Sequence, residues 1–457
     1  MSDAKRMMKL GVFFNPTGHH VASWRHPRSQ ADAGINVQHY VELAQTAERG
    51  CFDMIFLADN VAVREAPMAA LSRSAQYIAN FEPLTLLSAL SMVTKKIGLV
   101  ATASTSFNEP FNIARKFASL DHLSGGRAGW NIVTTASRAA ARNFGRDEVM
   151  EHHQRYERAK EFTRVVMGLW DSWDDDAFLR DKGSGLFFRP EGLHSLDHKG
   201  EWFSVKGPLN IPRSPQGYPV LVQAGSSDDG RSFAAEFAEA IFTGHVNLES
   251  AQEYYADVKA RARGFGRNVD QVVVMPGLSP VVGRTEKEAQ EKQDTLQSLV
   301  DPVVAREILS TLLGGVDLSP YPLDGPLPDL PPVVSDSQST RANWVNLARK
   351  ENLSIGQLAM RATHGRGKSA AVGTPAQIAD HMEKWFTQGG ADGFNIQPPV
   401  QPGFLDDFVE MVIPVLQERG LVRGEYQGDT LREHLGLPRP ENRHKLAAAR
   451  TSAAAVV

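Results

Sequence analysis

Short apolar runs separated by longer amphipathic segments recur along the whole chain. The runs lack alternation of polar and apolar residues, which is the pattern of parallel strands covered on both faces. The intervening segments have helical spacing, and VQHYVELAQTAERG ends at a glycine that favours a helix stop. We predict strands at residues 9–14, 53–59, 97–104, 128–133, 219–225, 240–245, 272–283 and 392–399. Eight strands alternating with helices predict an α/β fold, a (β/α)8 TIM barrel, rather than an open doubly wound sheet.

Two long segments do not fit this alternation. Residues 172–218, after the fourth strand, are rich in Asp, Gly, Pro and aromatic residues, and residues 301–368 follow the seventh strand. Segments of this length are typical of lids, binding loops or small excursions. The end of the chain, 439–457, is interrupted by proline and then rich in alanine, which predicts a C-terminal arm. We therefore predict one barrel over residues 1–438 with two insertions, followed by a tail.

Composition narrows the class of protein. The 457 residues are 42% hydrophobic and 22% charged, with a net charge of -4. Without a basic stripe, a long apolar run or an apolar leader at the start, the sequence favours neither nucleic acid nor a membrane, and we expect a cytoplasmic protein. Cys51 is the single cysteine, which excludes an intrachain disulfide and favours a small buried hydrophobe over a nucleophile.

Polar residues cluster where the predicted strands end. Any one of them has a simpler interpretation as a helix cap or a loop residue. Because the carboxyl ends of barrel strands meet at one face, several such ends together predict a cavity that binds a large polar ligand. The residues are Asp59, Asn60, Thr102, Ser104, Asn131, Thr134, Thr135, Gln223, Ser226, Ser227 and His245.

Asn131 lies at the centre of the apolar strand AGWNIV. An amide buried without partners costs about 1–3 kcal/mol, so something must meet this side chain. Pairing with a neighbouring strand is one answer, and a bound ligand is the other.

The segment QAGSSDDGRSF gives the best single indication of the ligand. A strand stops at Gly225, two serines follow, and a helix begins, so free backbone N–H groups predict an anion site, most simply for a phosphate. We expect Asp228 and Asp229 to face solvent, since they would repel a phosphate. His152 and Tyr156 are four residues apart on one face of the helix after strand four, where core packing is the alternative for Tyr156.

Several common motifs are missing. No G-x-G-x-x-G opens a helix after a strand, and no G-x-x-x-x-G-K-[ST] occurs. The adjacent residues His19 and His20 point in divergent directions on an extended segment, and neither strand four nor strand five ends in a metal ligand. The sequence therefore gives poor support to a metal site.

A run of motifs resembles the nitrilotriacetate monooxygenase group of the bacterial luciferase-like superfamily. The motifs are FLADN, STSFNEPFNIARKFASLDHLSGG, GRAGWNIVTTASRAAARNFGRD, EHHQRYERAKEF, VKGPLNIPRSPQGYPVLVQAGSS, ADGFNIQPP and EYQGDTLREHLGL, which together span about residues 8–438. This group includes oxygenase components that act on nitrilotriacetate, EDTA and dibenzothiophene sulfone, and a streptogramin synthase.

The resemblance implies a barrel that binds reduced FMN, supplied by a separate NAD(P)H:flavin reductase, and inserts one oxygen atom of O2 into a small organic or xenobiotic substrate. By motif position it implies FMN contacts at Asp59, Thr102, Asn131, His152, Tyr156, Gly225, Ser226 and Ser227. Cleavage of a C–N or C–S bond, as in an aminopolycarboxylate or organosulfur compound, is the substrate class it suggests. A homodimer or a dimer of dimers is expected.

His19 and Asn131 are our candidates for catalytic residues. His19 follows strand one, where it could relay a proton close to the substrate, and ordering of its own loop is the simpler alternative. His20 and His245 are weaker candidates. A polyanionic substrate should meet a cationic pocket, for which four arginines are available. They are Arg25, Arg73, Arg138 and Arg142.

Three alternative functions stay open at this point. A dehydrogenase that uses the deazaflavin F420 would share the barrel but not the oxygen chemistry. A non-catalytic barrel would bind FMN without acting on any substrate. A metal-dependent hydrolase would carry stoichiometric metal and ignore flavin.

Overall fold

The computed structural model describes residues 6–330, 338–363 and 369–454. Eight parallel strands, each hydrogen-bonded to the next, close into a barrel because the last strand also pairs with the first. The prediction of a (β/α)8 barrel is confirmed. The strands are β1 (Lys9–Phe13), β2 (Met54–Leu57), β3 (Gly98–Ser104), β4 (Ala128–Val133), β5 (Val220–Gln223), β6 (Ala240–Thr243), β7 (Val273–Val282) and β8 (Gly393–Ile396).

Helices connect the strands, and their ends carry the expected signals. The side chain of Asn36 caps the first helix by accepting from the His39 N–H, and Gly50 follows the last residue of that helix. Through α9 the helices are α1 (Val37–Arg49), α2 (Met68–Leu71), α3 (Pro83–Ser91), α4 (Pro110–Ser124), α5 (Arg138–Asn143), α6 (His152–Trp170), α7 (Asp228–Phe237), α8 (Leu248–Gly264) and α9 (Glu286–Ser298). Then follow α10 (Pro302–Leu312), α11 (Gln338–Glu351), α12 (Ile355–Ala362), α13 (Pro375–Thr387), α14 (Gly403–Asp407), α15 (Ile413–Glu418), α16 (Leu431–Leu435) and α17 (Arg443–Ala454).

Side chains of each strand alternate between the inside of the barrel and the layer of helices. Inside, large apolar residues fill the barrel, and α16 closes its amino end with Leu431. A Cβ on Gly98 would lie 2.5 Å from the Leu431 side chain, so glycine makes room for this plug. The inner cluster includes Met54, Phe56, Val100, Val222, Phe242 and Met275.

A ninth strand, Ser369–Gly373, pairs in parallel with the second half of β7. The apolar pattern did not predict it, because SAAVG is short and lacks the bulky residues of a strand. The long β7 therefore pairs with β6 and β8 inside the barrel and with the ninth strand beyond the barrel mouth.

Within the described residues, neither of the two predicted insertions contributes a strand to the eight-stranded barrel. The segment 172–218 holds a two-stranded hairpin, His198–Lys199 with Ser204–Val205. Helices α10–α12 fall within 301–368, and their apolar cluster also takes in Val21 and Ala22 from the loop after β1. In the predicted tail, Arg439 binds Asp175 of the first segment. Residues 331–337, 364–368 and 455–457 of these predictions lie outside the described residues.

A helix that crosses a bilayer must be about 20 residues long and predominantly apolar. Within residues 6–330, 338–363 and 369–454, no helix combines the length and the apolar character needed to cross a membrane.

Candidate active site

Two polar side chains on neighbouring strands meet inside the mouth of the barrel. Thr102 of β3 lies level with Asn131 of β4, and the Asn131 Nδ2 donates to the Thr102 Oγ1 at 2.8 Å. Only 4% of Thr102 and 3% of Asn131 is exposed. The amide oxygen Oδ1 of Asn131 has no hydrogen-bond partner among the described residues. An orphaned buried acceptor costs about 1–3 kcal/mol, so this atom suits the N–H group of a ligand.

Gln397, just beyond β8, has a second buried amide oxygen of this kind, on another side of the mouth. Its Oε1 is buried, and it too lacks a partner within the described part of the chain. A Cβ on Gly277 of β7 would lie 2.6 Å from the Gln397 amide, so a glycine is needed here. Sequence reasoning missed Gln397, although an amide directly after the apolar strand DGFNI was the available signal.

The turn before α7 forms the predicted anion site, and we call Gly225, Ser226 and Ser227 the anion turn. Ser227 caps the helix, since its Oγ accepts from the Gly230 N–H at 3.1 Å. Ser226 is exposed at the tip. The helix N-terminus directs its first N–H groups and its partial positive charge toward this turn.

Tyr156 closes one wall of the anion turn. A Cβ on Gly230 would lie 3.0 Å from both the Tyr156 Oη and the Gly225 Cα, so only glycine keeps this space open. The Tyr156 ring packs against Phe233 and is 7% exposed. The Tyr156 ring is therefore part of the core, as one interpretation predicts, and its hydroxyl faces the anion turn, where a contact with FMN stays a prediction.

His152 lies beside Tyr156, with their ring centroids 5.1 Å apart. The His152 Nδ1 is 3.0 Å from the Asp229 Oδ2, and His153 approaches the other oxygen of the same carboxylate at 3.4 Å. Our expectation that Asp229 faces solvent is wrong, because the start of α6 brings two imidazoles against it. Asp228 does face solvent, with 76% of its side chain exposed, and binds Arg261.

His245 lies on the same side of the mouth as the anion turn. Its Nε2 is 2.9 Å from the Thr243 Oγ1, and its ring centroid is 5.1 Å from that of Tyr254. Tyr254 in turn donates from its hydroxyl to the Gly225 carbonyl at 3.0 Å. Burial lowers the pKa of His245, which favours the neutral imidazole. The structure thus places His245 behind the anion turn.

Asp59 follows β2 and is partly buried. Burial raises the pKa of its carboxyl, and the negative charge of Glu82 raises it further. The charge of Asp59 also contributes to the raised pKa of Tyr77, whose largest cause is burial. Tyr77 has a φ of 56°, in the left-handed region that bulky residues rarely adopt. Asp59 therefore lies where the barrel mouth adjoins the loop that carries Tyr77.

A cavity of about 320 Å³ opens beside the barrel mouth, within the size range of small-molecule sites. It lies at the ends of β1, β7 and β8, and its lining includes His19 and His20. The His19 Nε2 is 3.0 Å from the Phe13 carbonyl oxygen, to which it donates, so the neutral ring carries its lone pair on Nδ1. His19 and the anion turn belong to different sides of the mouth.

The four arginines that we considered for a cationic pocket lie elsewhere, and within the described chain none of them lines this cavity. Arg73, Arg138 and Arg142 bind Asp301, Glu148 and Glu65, and Arg25 donates to the Leu299 carbonyl. Arg64 lines the cavity instead. Sequence reasoning passed over Arg64 because nothing in VAVREAP distinguishes it from a solvated surface residue.

Within the described ranges, no group of three or more His, Cys, Asp or Glu side chains is placed to hold a metal ion.

Comparisons with known proteins identify the family. Residues 13–393 match the family described as luciferase-like monooxygenase. The chain is 52% identical to N-acetyl-S-(2-succino)cysteine monooxygenase of Bacillus subtilis (strain 168), over 97% of this chain and 100% of the relative. It is 48% identical to nitrilotriacetate monooxygenase component A of Aminobacter aminovorans, over 96% of this chain and 98% of the relative.

Comparison with solved structures indicates the same family. The EDTA monooxygenase of Chelativorans sp. BNC1 is 36% identical, with a TM-score of 0.76 and coverage of 95% of this chain and 99% of that one. Two barrels named for coenzyme F420 are 14% and 15% identical, which shows a shared fold alone. The chain therefore belongs to the family of luciferase-like flavin monooxygenases.

Proposed function

We propose that the chain is the oxygenase component of a two-component system that uses reduced FMN and O2 to oxidise a small organic substrate. The observation that carries this proposal is the buried Oδ1 of Asn131, which lacks a partner in the described chain and suits a flavin ring N–H. The relative named component A supports a separate NAD(P)H:flavin reductase as the partner. A homodimer or dimer of dimers stays a prediction.

The residues at the mouth fit FMN at both of its ends. The anion turn and the Tyr156 hydroxyl suit the phosphate, because backbone N–H groups and a hydroxyl can all donate to its oxygens. His152 adds an imidazole beside them, and its Nδ1 lies 3.0 Å from the Asp229 Oδ2. Thr102 and Asn131 suit the polar edge of the ring, and Asp59 lies nearest the loop that borders the cavity.

When bound, reduced FMN supplies the two electrons with which one atom of O2 enters the substrate and the other leaves as water. The chain contributes orientation and exclusion of water. Asn131 fixes the ring through a hydrogen bond that needs no reorganisation, since Thr102 already holds the amide. The cavity keeps the substrate beside the ring and limits solvent access.

His19 is positioned to handle a proton on the substrate side. With its Nε2–H directed to the Phe13 carbonyl, its Nδ1 accepts a proton from the substrate region or returns one. Oxidation of a carbon next to nitrogen or sulfur gives a hydroxylated product that breaks into a carbonyl compound and an amine or thiol. Cleavage of a C–N or C–S bond follows from that chemistry.

The test supplies the chain with FMN, NADH, a flavin reductase and 18O2. The substrates are N-acetyl-S-(2-succino)cysteine and nitrilotriacetate, named by the two relatives. We expect one of them to give an oxidised product, with one 18O atom detected before the carbonyl exchanges with water. Flavin that binds the chain and reoxidises with no product from either compound would contradict this substrate class. Absence of flavin binding would contradict the proposed function itself.

A further inference from the structure

The cavity beside the barrel mouth has a one-sided charge. Its titratable lining residues, among those described, are His19, His20, Arg64 and Tyr77, and no carboxylate lines it. The rest of the wall is uncharged, with amide and hydroxyl side chains beside the apolar residues Phe13, Val21, Val281, Leu296 and Pro399. A cavity with an arginine at one part and an otherwise uncharged wall suits an anion on a short carbon skeleton.

Arg64 is held at the cavity but is not neutralised there. Its guanidinium donates to the Gln76 Oε1 at 3.3 Å and lies 5.1 Å from the centroid of the Tyr77 ring. Gln76 and Tyr77 both line the cavity as well. The ring contact and the amide restrain the side chain, yet both are neutral partners.

The neighbouring arginines differ in this respect. Arg73 and Arg142 each bind a carboxylate, and Arg142 takes Glu65, the residue next to Arg64. Within the described ranges, no carboxylate lies within 4.0 Å of the Arg64 guanidinium. Arg64 thus keeps its full charge for a ligand, with five donors in the planar arrangement that binds a carboxylate through two parallel hydrogen bonds.

His20 lines the cavity with both of its ring nitrogens in contact with protein groups. Its Nδ1 accepts from the Ala22 backbone N–H at 3.2 Å, and its Nε2 lies 3.4 Å from the Gln297 Oε1. The Ala22 end of this loop packs into the apolar cluster of α10–α12, which fixes where His20 lies.

We propose that Arg64 binds a carboxylate of the substrate and determines specificity for small molecules with two or more carboxylates. This inference rests on the proposed function, because it names the substrate class of that same site. The Arg64 guanidinium positions the substrate and takes no part in the oxidation itself.

The test measures binding of a tricarboxylate to the FMN-loaded chain by calorimetry. The probe is N-acetyl-S-(2-succino)cysteine, with its trimethyl ester as the uncharged analogue and nitrilotriacetate as a second acid. We expect the acids to bind at least tenfold more tightly than the ester, and increasingly so as ionic strength falls. Arg64→Ala and Arg64→Gln should each lower the affinity for the acids at least tenfold. Arg64→Lys should have an intermediate affinity, because lysine keeps the charge but lacks the planar guanidinium.

Arg263→Ala is the matched control, since Arg263 is an exposed arginine on α8 outside the cavity lining. It should leave binding of the acids unchanged. FMN affinity and thermal unfolding should be the same in all four variants, which separates a lost carboxylate contact from a damaged fold.

Three outcomes would overturn the inference while leaving the proposed function intact. They are binding of the ester as tight as that of the acids, unchanged affinity of the acids in Arg64→Ala, and no binding of either acid to the wild-type chain loaded with FMN. A wild-type chain that fails to bind FMN would instead contradict the proposed function.

Discussion

The two sides of the barrel mouth are formed by different kinds of structural element. On the side of β3–β5, the candidate flavin contacts come from strand residues and from the backbone of the anion turn, as Thr102, Asn131 and Gly225 show. On the side of β1, β7 and β8, the cavity is lined mainly by loops and by helix α9, with His20 and Arg64 among the lining residues.

This difference teaches how one barrel can serve many substrates. Strand ends and a helix N-terminus hold a shared cofactor, because their positions are fixed by the hydrogen bonds of the barrel. Loops and insertions tolerate substitution and change of length, so they supply the part that selects the substrate. We therefore expect that substitutions on the two sides separate flavin binding from substrate handling.

His19→Ala should give the largest effect, and only on the cavity side. Because general acid–base groups contribute about 100-fold or more, we expect product formation to fall about 100-fold while the affinity for reduced FMN stays within about twofold. Anaerobic titration and product analysis with N-acetyl-S-(2-succino)cysteine measure the two quantities. His122→Ala is the control, since His122 contacts the Pro212 carbonyl away from the cavity. Loss of flavin binding in His19→Ala would move His19 to the flavin side.

The double variant Asn131→Leu/Thr102→Val should affect the flavin side alone. It removes both members of a buried hydrogen bond, so the free energy of unfolding should change by less than about 1 kcal/mol. The affinity for reduced FMN should fall about 10- to 100-fold, because ring contacts are lost. Thr163→Val, in the buried body of α6, is the control that should leave flavin affinity unchanged. Unchanged affinity in the double variant would leave Asn131 a purely structural residue.

Gly230→Ala should lower the affinity for reduced FMN about tenfold, because it disturbs the site proposed for the phosphate. Its Cβ would enter the space between Gly225 and the Tyr156 hydroxyl, each 3.0 Å away. Gly264→Ala is the matched control, because a Cβ at that position of α8 meets nothing within 4 Å. That control should bind FMN normally and, at the last residue of α8, gain less than about 1 kcal/mol of stability from helix propensity. Equal flavin affinities for the two variants would show that the space at Gly230 holds no phosphate.

Asp59→Asn should give the smallest effect, at the boundary between the two sides. Burial raises the pKa of Asp59, so the folded chain holds this proton to a higher pH than the unfolded chain does. Wild-type stability therefore falls, relative to the Asn variant, as pH rises through the raised pKa. We expect the variant to unfold about 2 °C higher at pH 7.5, with little difference at pH 3.

Asp228→Asn is the control for this titration. Arg261 lowers the pKa of Asp228, so its charged form stabilises the fold above the ordinary pKa, and its substitution should have the opposite sign. If the difference in unfolding temperature between Asp59→Asn and the wild type did not grow between pH 3 and pH 7.5, the raised pKa of Asp59 would be contradicted.

The sequence predicts those site residues that lie on strands or at the start of a helix. All eight barrel strands follow from apolar runs, since a strand buried on both faces admits few other residues. Asn131 stood out for the same reason, because an amide is anomalous in such a run. The anion turn was visible because a glycine, a capping serine and a helix start have known backbone consequences.

The cavity side was not predictable in the same way. Arg64 is one of many arginines, and only the folded chain shows that its neighbours take the nearby carboxylates. Asp229 was assigned to solvent because its contacts with His152 and His153 depend on how α6 packs against α7. The strand Ser369–Gly373 forms because β7 extends beyond the barrel, which is a property of the sheet rather than of SAAVG.

The most direct test of the account is an anaerobic titration of the purified chain with reduced FMN and with reduced riboflavin, which lacks the phosphate. We expect reduced FMN to bind at least tenfold more tightly than reduced riboflavin, and we expect this ratio to approach one in Gly230→Ala. Equal affinities of the wild-type chain for the two flavins, or no binding of either, would contradict the assignment of the anion turn to the FMN phosphate.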